Sequence, residues 1–235
     1  MMGRTHAASG AVATMLAIPA LGRFGLDTTS MSVIAASVAG AGAAMLPDLD
    51  HPHATVAQSL GPVTRSIARV ISAISGGHRH GTHSLIGVAA FTAITYGITR
   101  AGHVYTGLWL AFLFAIAATA FGVPVNRNRM LHTVICLAGG VLLAGTTAFI
   151  HYPLASLPWA VAIGSAAHLA GDLVTKQGVP LLWPIRHQFK LGHVTTGGDI
   201  DTILGWLLTF AYAVLVSYAL YVIFLPPLHF AWSGH

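Results

Sequence analysis

The chain has 235 residues, 55% of them hydrophobic and only 7% charged, where a soluble globular domain carries roughly 25% charged residues. That balance excludes an ordinary water-soluble fold and predicts an all-α integral membrane protein. The net charge of +5 does not indicate nucleic acid, because the basic residues are scattered through short loops without a Lys/Arg stripe and interleaved aromatics.

Hydropathy predicts one membrane-embedded domain over residues 1–235, a bundle of about seven spans (six to eight, some partly re-entrant) at 7–22, 30–46, 84–99, 107–121, 131–150, 157–174 and 203–225. The first two fall short of the roughly 20 residues that cross a bilayer comfortably. Met1–Gly22 also has the charged start and apolar run of a signal peptide, but Pro19 leads into Leu21-Gly22-Arg23 rather than a small-x-small cleavage site. His6 lies near the start of this first span.

The second span ends in Leu46-Pro47-Asp48-Leu49-Asp50-His51-Pro52-His53. Pro52 biases His51 toward extended geometry, and in an extended segment Asp48 and Asp50 point the same way. Two such carboxylates repel unless a cation lies between them; alone, they also read as a polar turn capping a span. Residues 63–75 follow as an amphipathic helix at the interface, with Ile67, Val70, Ile71 and Ile74 opposite Arg65 and Arg69. Anchoring the loop is its default role, and roofing a site the alternative.

His78-Arg79-His80-Gly81-Thr82-His83-Ser84 is the densest histidine cluster. Residues five apart diverge on a helix, so His78 and His83 are expected in a loop that enters the next helix, with Thr82 or Ser84 as N-cap. Farther on, Asn126-Arg127-Asn128-Arg129 reads as a positive-inside anchor, with a phosphate clamp as the sharper alternative. Cys136, alone in an apolar run, excludes an intrachain disulfide framework.

His168-x3-Asp172 lies late in the sixth span, where i and i+4 share a helix face. An intramembrane carboxylate is a functional hypothesis by default; a His–Asp pair fastening two helices is the plainer one. The Pro-broken segment 176–202 is expected to dip into the interface or cover the site, and Asp199 and Asp201 to cap the last span.

All six acids are aspartates, and five of them sit in or beside these polar islands. Counting Lys/Arg on the two sides of the seven-span topology puts nine on one side and two (Arg23, Arg100) on the other. The positive-inside rule makes the first side cytoplasmic, with the N-terminus inside and the C-terminus outside. His6, Asp48, Asp50, His78, His83, His168 and Asp172 all fall on that face, although nothing in the charge count required it. His103, His151, His229 and His235 lie opposite and read as interfacial; His132, His187 and His193 share the right side but have no partners in sequence.

Thr5-His6-x3-Gly10, Leu46-Pro47-Asp48-Leu49-Asp50-His51-Pro52, His78-Arg79-x2-Thr82-His83-Ser84 and His168-x3-Asp172-x2-Thr175-x2-Gly178-Val179 occur in this order. Together they resemble the membrane-bound metal-dependent hydrolase family, whose members include YdjM-type inner-membrane proteins associated with the LexA regulon. The resemblance runs from Thr5 to about Pro184. It implies a bacterial inner-membrane location, and His6, Asp48, Asp50, His78, His83, His168 and Asp172 as the functional positions.

The expectation is therefore a metal-dependent hydrolase. The seven positions are its metal ligands, and Asp50, His83 and Arg79 its catalytic residues. Mixed His/Asp ligation suits Zn²⁺, and also Mn²⁺ or Fe²⁺; seven candidates suggest two ions, with bridging or outer-shell Asp. An ion there would acidify a water to attack a phosphoester or acyl bond in a lipid or other amphiphile, held near Arg79, Arg127 and Arg129. A divalent-metal transporter or sensor is the reading from another class, although transporters place ligands near the bilayer midplane. A non-catalytic scaffold with a structural metal is the third.

Overall fold

The computed structural model describes residues 2–52, 54–58, 62–122, 134, 138, 141–142, 154–185 and 187–225. Their long elements are α1 (Gly3–Ala20), α2 (Ser30–Ala43), α3 (Thr55–Gln58), α4 (Pro62–Ser75), α5 (Leu85–Ala101), α6 (His103–Ala120), α7 (Leu157–Leu173) and α8 (Asp199–Phe224). Among the described residues there is no strand, only isolated bridges at Thr175–Val194 and Val179–Phe189, and the chain is an all-α membrane protein. Gly3–Phe24, Ser30–Asp50, His103–Ala120 and Asp199–Phe224 are long and apolar enough to cross a bilayer, and α5 is a shorter apolar helix. Most of the expected span 131–150, the Asn126–Arg129 loop, and His53, Cys136, His132, His151, His229 and His235 lie outside the described residues.

The packing begins with small side chains. α2 reads Ser-Val-Ala-Gly-Ala-Gly-Ala over its last seven residues, and lipid tails are as apolar as any leucine, so helices in a membrane associate through close backbone approach at such residues. A Cβ on Gly42 would lie 2.1 Å from the Leu113 carbonyl oxygen of α6, and one on Gly164 of α7 would lie 2.2 Å from the Gly40 carbonyl oxygen. α1 also comes in at Gly40, through Gly10. α2 is therefore an inner helix flanked by α1, α6 and α7. α8 is its opposite, with Ile203, Trp206, Phe210 and Tyr218 facing outward as a lipid-facing helix does.

Thr29 caps α2, accepting from Ser32 N–H, and Ser84 caps α5, accepting from Gly87 N–H at 3.2 Å, as the histidine cluster leads one to expect. The turn after α2 departs from the sequence reading. Pro47–Asp50 is a 3₁₀ helix rather than an extended segment, so Asp48 and Asp50 do not alternate onto one face. Pro47 opens this turn in a first-turn position, where its missing N–H costs nothing. Only His51, directly before Pro52, is extended (φ −108°, ψ 104°).

α4 has three faces. Thr64, Ala68 and Ser75 are buried, Ile67, Val70 and Ile74 are exposed, and Arg65 and Arg69 project on the far side. The helix packs against the Pro47–Asp50 turn, so it buttresses the aspartate turn.

Candidate metal centre

Four separate stretches deliver the polar side chains to one end of the bundle. α1 brings His6 one turn from its start, the turn after α2 brings Asp48 and Asp50, the 76–83 connection brings His78, Arg79 and His83, and α7 brings His168 and Asp172. His6, Asp50, His83, His168 and Asp172 are fully buried.

Two groups have ligand atoms close enough to hold an ion: His6, His168 and Asp172, and Asp48, His78 and His83. In the inner group, Asp172 Oδ1 lies 3.3 Å from His6 Nε2 and Oδ2 lies 3.5 Å from His168 Nε2. The His6 and His168 rings stack with centroids 3.8 Å apart. In the outer group, His83 Nε2 lies 3.5 Å from Asp48 Oδ1. The groups share a wall: His168 Nε2 is 3.3 Å from His83 Nε2, and Asp172 Oδ2 is 3.8 Å from the same atom.

The ring orientations follow from what holds the far nitrogens. His168 Nδ1 donates to the Ala44 carbonyl at 2.6 Å, an oxygen left free because α2 ends there. Nε2 of His168 is thereby the lone-pair nitrogen, turned to the shared wall. Asp50 performs the same service twice, at His78 Nδ1 (2.9 Å) and at His83 Nδ1 (3.3 Å). It also accepts from Arg79 N–H at 3.0 Å and from the Thr82 hydroxyl. Its oxygens are thus engaged on the outside of the rings, and Asp50 belongs to neither ligand group.

Burial disfavours a charged His83, but Asp48 and Asp50 outweigh it and push this imidazole up to about 9. Positive charge is therefore favoured at His83, between the two carboxylates. His6 is fully buried, its Nδ1 has no hydrogen-bond partner and its Nε2 faces Asp172 Oδ1 at 3.3 Å without a well-aligned hydrogen bond; a buried polar atom in that state calls for an explanation, and ion ligation at Nε2 or Nδ1 supplies one. Two imidazole Nε2 atoms converging beside two carboxylates, with their Nδ1 atoms held from behind, form a donor set that fits a divalent ion.

Arg79 pairs with Asp172, Nη2 to Oδ2 at 3.1 Å, and donates from Nη1 to the Gly178 carbonyl at 3.1 Å. The expected 176–202 segment thereby touches the site at Gly178. His51 stacks on His78 with centroids 4.6 Å apart, and His80 bonds the His78 carbonyl; both stand outside the two groups. His187 and His193 are exposed and also outside them. Asp199 and Asp201 lie in the first turn of α8 but do not cap it, since its N-cap is Gly198 with no side-chain cap hydrogen bond. Asp201, fully buried, instead accepts from Gly197 N–H, Met2 N–H and the Thr5 hydroxyl, tying α8 to the turn of α1 that carries His6. The Ala44 and Gly178 carbonyls have no sequence signal at all, since any residue type supplies one. Thr82 did have one, its place between Gly81 and His83, but its use toward Asp50 requires the 3₁₀ turn.

The family model described as YdjM inner membrane protein matches residues 1–123 and 122–228 of the chain. Two curated relatives, both called inner membrane protein YdjM, come from Escherichia coli strain K12 and Shigella flexneri. Each is 29% identical over 147 residues, which cover 63% of this chain and 48% of the relative. The chain thus spans about half the length of the curated relatives it matches. No solved structure matches it significantly.

Proposed function

Since the chain belongs to the YdjM inner membrane protein family, we propose that it is a metal-dependent hydrolase of the bacterial inner membrane, with a two-ion His/Asp centre at the cytoplasmic face. One observation carries this reading: two ligand groups, His6/His168/Asp172 and Asp48/His78/His83, meet at a common wall. His6, His168 and Asp172 would hold the inner ion, Asp48, His78 and His83 the outer one, and Asp172 lies within reach of both. Zn²⁺ suits the donor set best, with Mn²⁺ or Fe²⁺ as further options. Bound ions would supply a water nucleophile at neutral pH and a counter-charge for the oxygen that gains electron density.

The chain's own residues then have distinct tasks. Asp50 and the Ala44 carbonyl fix the imidazole tautomers and aim the Nε2 atoms inward. α4, packed on the Pro47–Asp50 turn, keeps Asp48 and Asp50 in place while its apolar flank meets the lipid. The way in is on the Asp48/His78 side, where His78 is 38% exposed. A site at the end of the apolar helix α2 favours a lipid or another amphiphile with a phosphoester or acyl bond.

The test is metal analysis of detergent-purified protein, followed by hydrolysis screens over phosphoester and acyl lipids. Two bound ions and a turnover lost in His83→Ala are expected. Protein without stoichiometric metal, or a His83→Ala variant that keeps both metal and activity, would overturn the reading. A purely structural centre would show itself differently, as thermal stability that drops on chelation with no turnover to lose.

A further inference from the structure

Arg79 is held in an expensive posture. Its φ of 59° puts a non-glycine residue in the left-handed region, a strain that persists only where the surroundings impose it. Here its own N–H is fixed on Asp50 Oδ2 and its side chain on Gly178 and Asp172. Strain of this kind collects at binding and catalytic positions.

The guanidinium is only half used on one edge. Nε and Nη2 lie side by side on the planar group, and this edge grips two oxygens of a carboxylate or phosphate at once. Asp172 gives it a single oxygen, Oδ2 to Nη2, because Oδ1 is turned to His6 Nε2 at 3.3 Å. Nε is left buried with no acceptor. An unpaired buried donor is costly and uncommon. A metal ion cannot satisfy it, since an N–H needs a lone pair; an oxygen of a bound molecule can.

We propose that the Nε–H of Arg79 is an oxyanion subsite that takes a phosphoryl oxygen, so that the centre acts on phosphoesters rather than carboxylic esters. A phosphoryl oxygen is anionic before any bond breaks and can be held from two sides, by a guanidinium edge and by cations. An ester carbonyl offers one neutral oxygen in the ground state. The inference rests on the two-ion reading above, which the same experiment checks separately.

Zinc-loaded protein in detergent is titrated with inorganic phosphate by calorimetry, alongside Arg79→Lys. Lysine keeps the charge that pairs with Asp172 but has no Nε–H edge. Arg79→Lys is expected to keep both zinc ions and to bind phosphate at least about tenfold more weakly, the scale of one charge-assisted hydrogen bond. Equal phosphate affinity in the two proteins overturns the inference. Wild-type protein without zinc would instead overturn the reading it rests on. Should Arg79→Lys lose zinc, the ¹H–¹⁵N resonance of Arg79 Nε decides the matter in the wild-type protein, assigned by its absence from the variant. A downfield proton shift on adding phosphate supports the subsite, and an unmoved resonance overturns it.

Discussion

The two ligand groups use the same residue types in different surroundings. His6, His168 and Asp172 are all sealed inside the helix bundle, whereas Asp48 and His78 reach the surface and only His83 of their group is buried. The inner group sits on α1 and α7, helices pressed onto α2 backbone to backbone. The outer group sits on a 3₁₀ turn and a connection that depend on Asp50 and α4 for support. An ion in the first should exchange slowly, and one in the second should be open to solvent and substrate.

The largest expected effect erases the contrast. Asp172 reaches His6, His168, His83 and Arg79, so Asp172→Asn should cost both ions, seen by metal analysis. In metal-free protein it should also destabilise the fold by about 3–5 kcal/mol, the cost of leaving one partner of a buried ion pair alone, measured by denaturation in detergent. Next come two variants that split the centre. His6→Ala should release the inner ion and keep the outer, and His78→Ala the reverse, each with the affected affinity lowered by more than about a hundredfold, since a ligand counts for more than an outer-shell partner. Loss of both ions in both variants would show that the groups do not act separately.

Asp50→Asn should weaken only the outer ion, by about 10–100-fold, because its hydrogen bonds lie behind His78 and His83 and not behind His6 or His168. Chelator titration sharpens the comparison without mutation: release should be biphasic, with the outer equivalent leaving first. The smallest effect is one of pH. His83 is pushed up to about 9 from 6.5, so in metal-free protein its imidazolium contributes stability that is complete below about pH 6.5. That contribution is lost as pH rises through 9, and the thermal midpoint of metal-free protein should fall over that interval. Metal affinity should run the other way, rising with pH, because the ligand must shed its proton.

The ligand types and their common end of the bundle were legible in the sequence, since a histidine or aspartate at a span boundary is costly without a role and the alternation of apolar runs already put these boundaries on one side. What each group does was not legible. Asp48 and Asp50 look alike in Pro-Asp-Leu-Asp-His-Pro, and only the 3₁₀ turn sends one to the ligand group and the other behind the imidazoles. Span starts were placed late for a related reason. Thr5 and His6, and Asp199 and Asp201, are polar, so hydropathy trims them from their helices, yet α1 and α8 bury Thr5, His6 and Asp201 against each other and against α7.

The meeting of α1 and α7 at Gly40 sets a limit on how this architecture can vary. No methyl group fits at 42 or 164 without displacing a neighbouring main chain, so random mutagenesis scored for protein accumulation should show these positions refusing even alanine. The outward residues of α8 should accept almost any apolar replacement. The helix spacing of such a scaffold is then fixed more tightly than its outer surface.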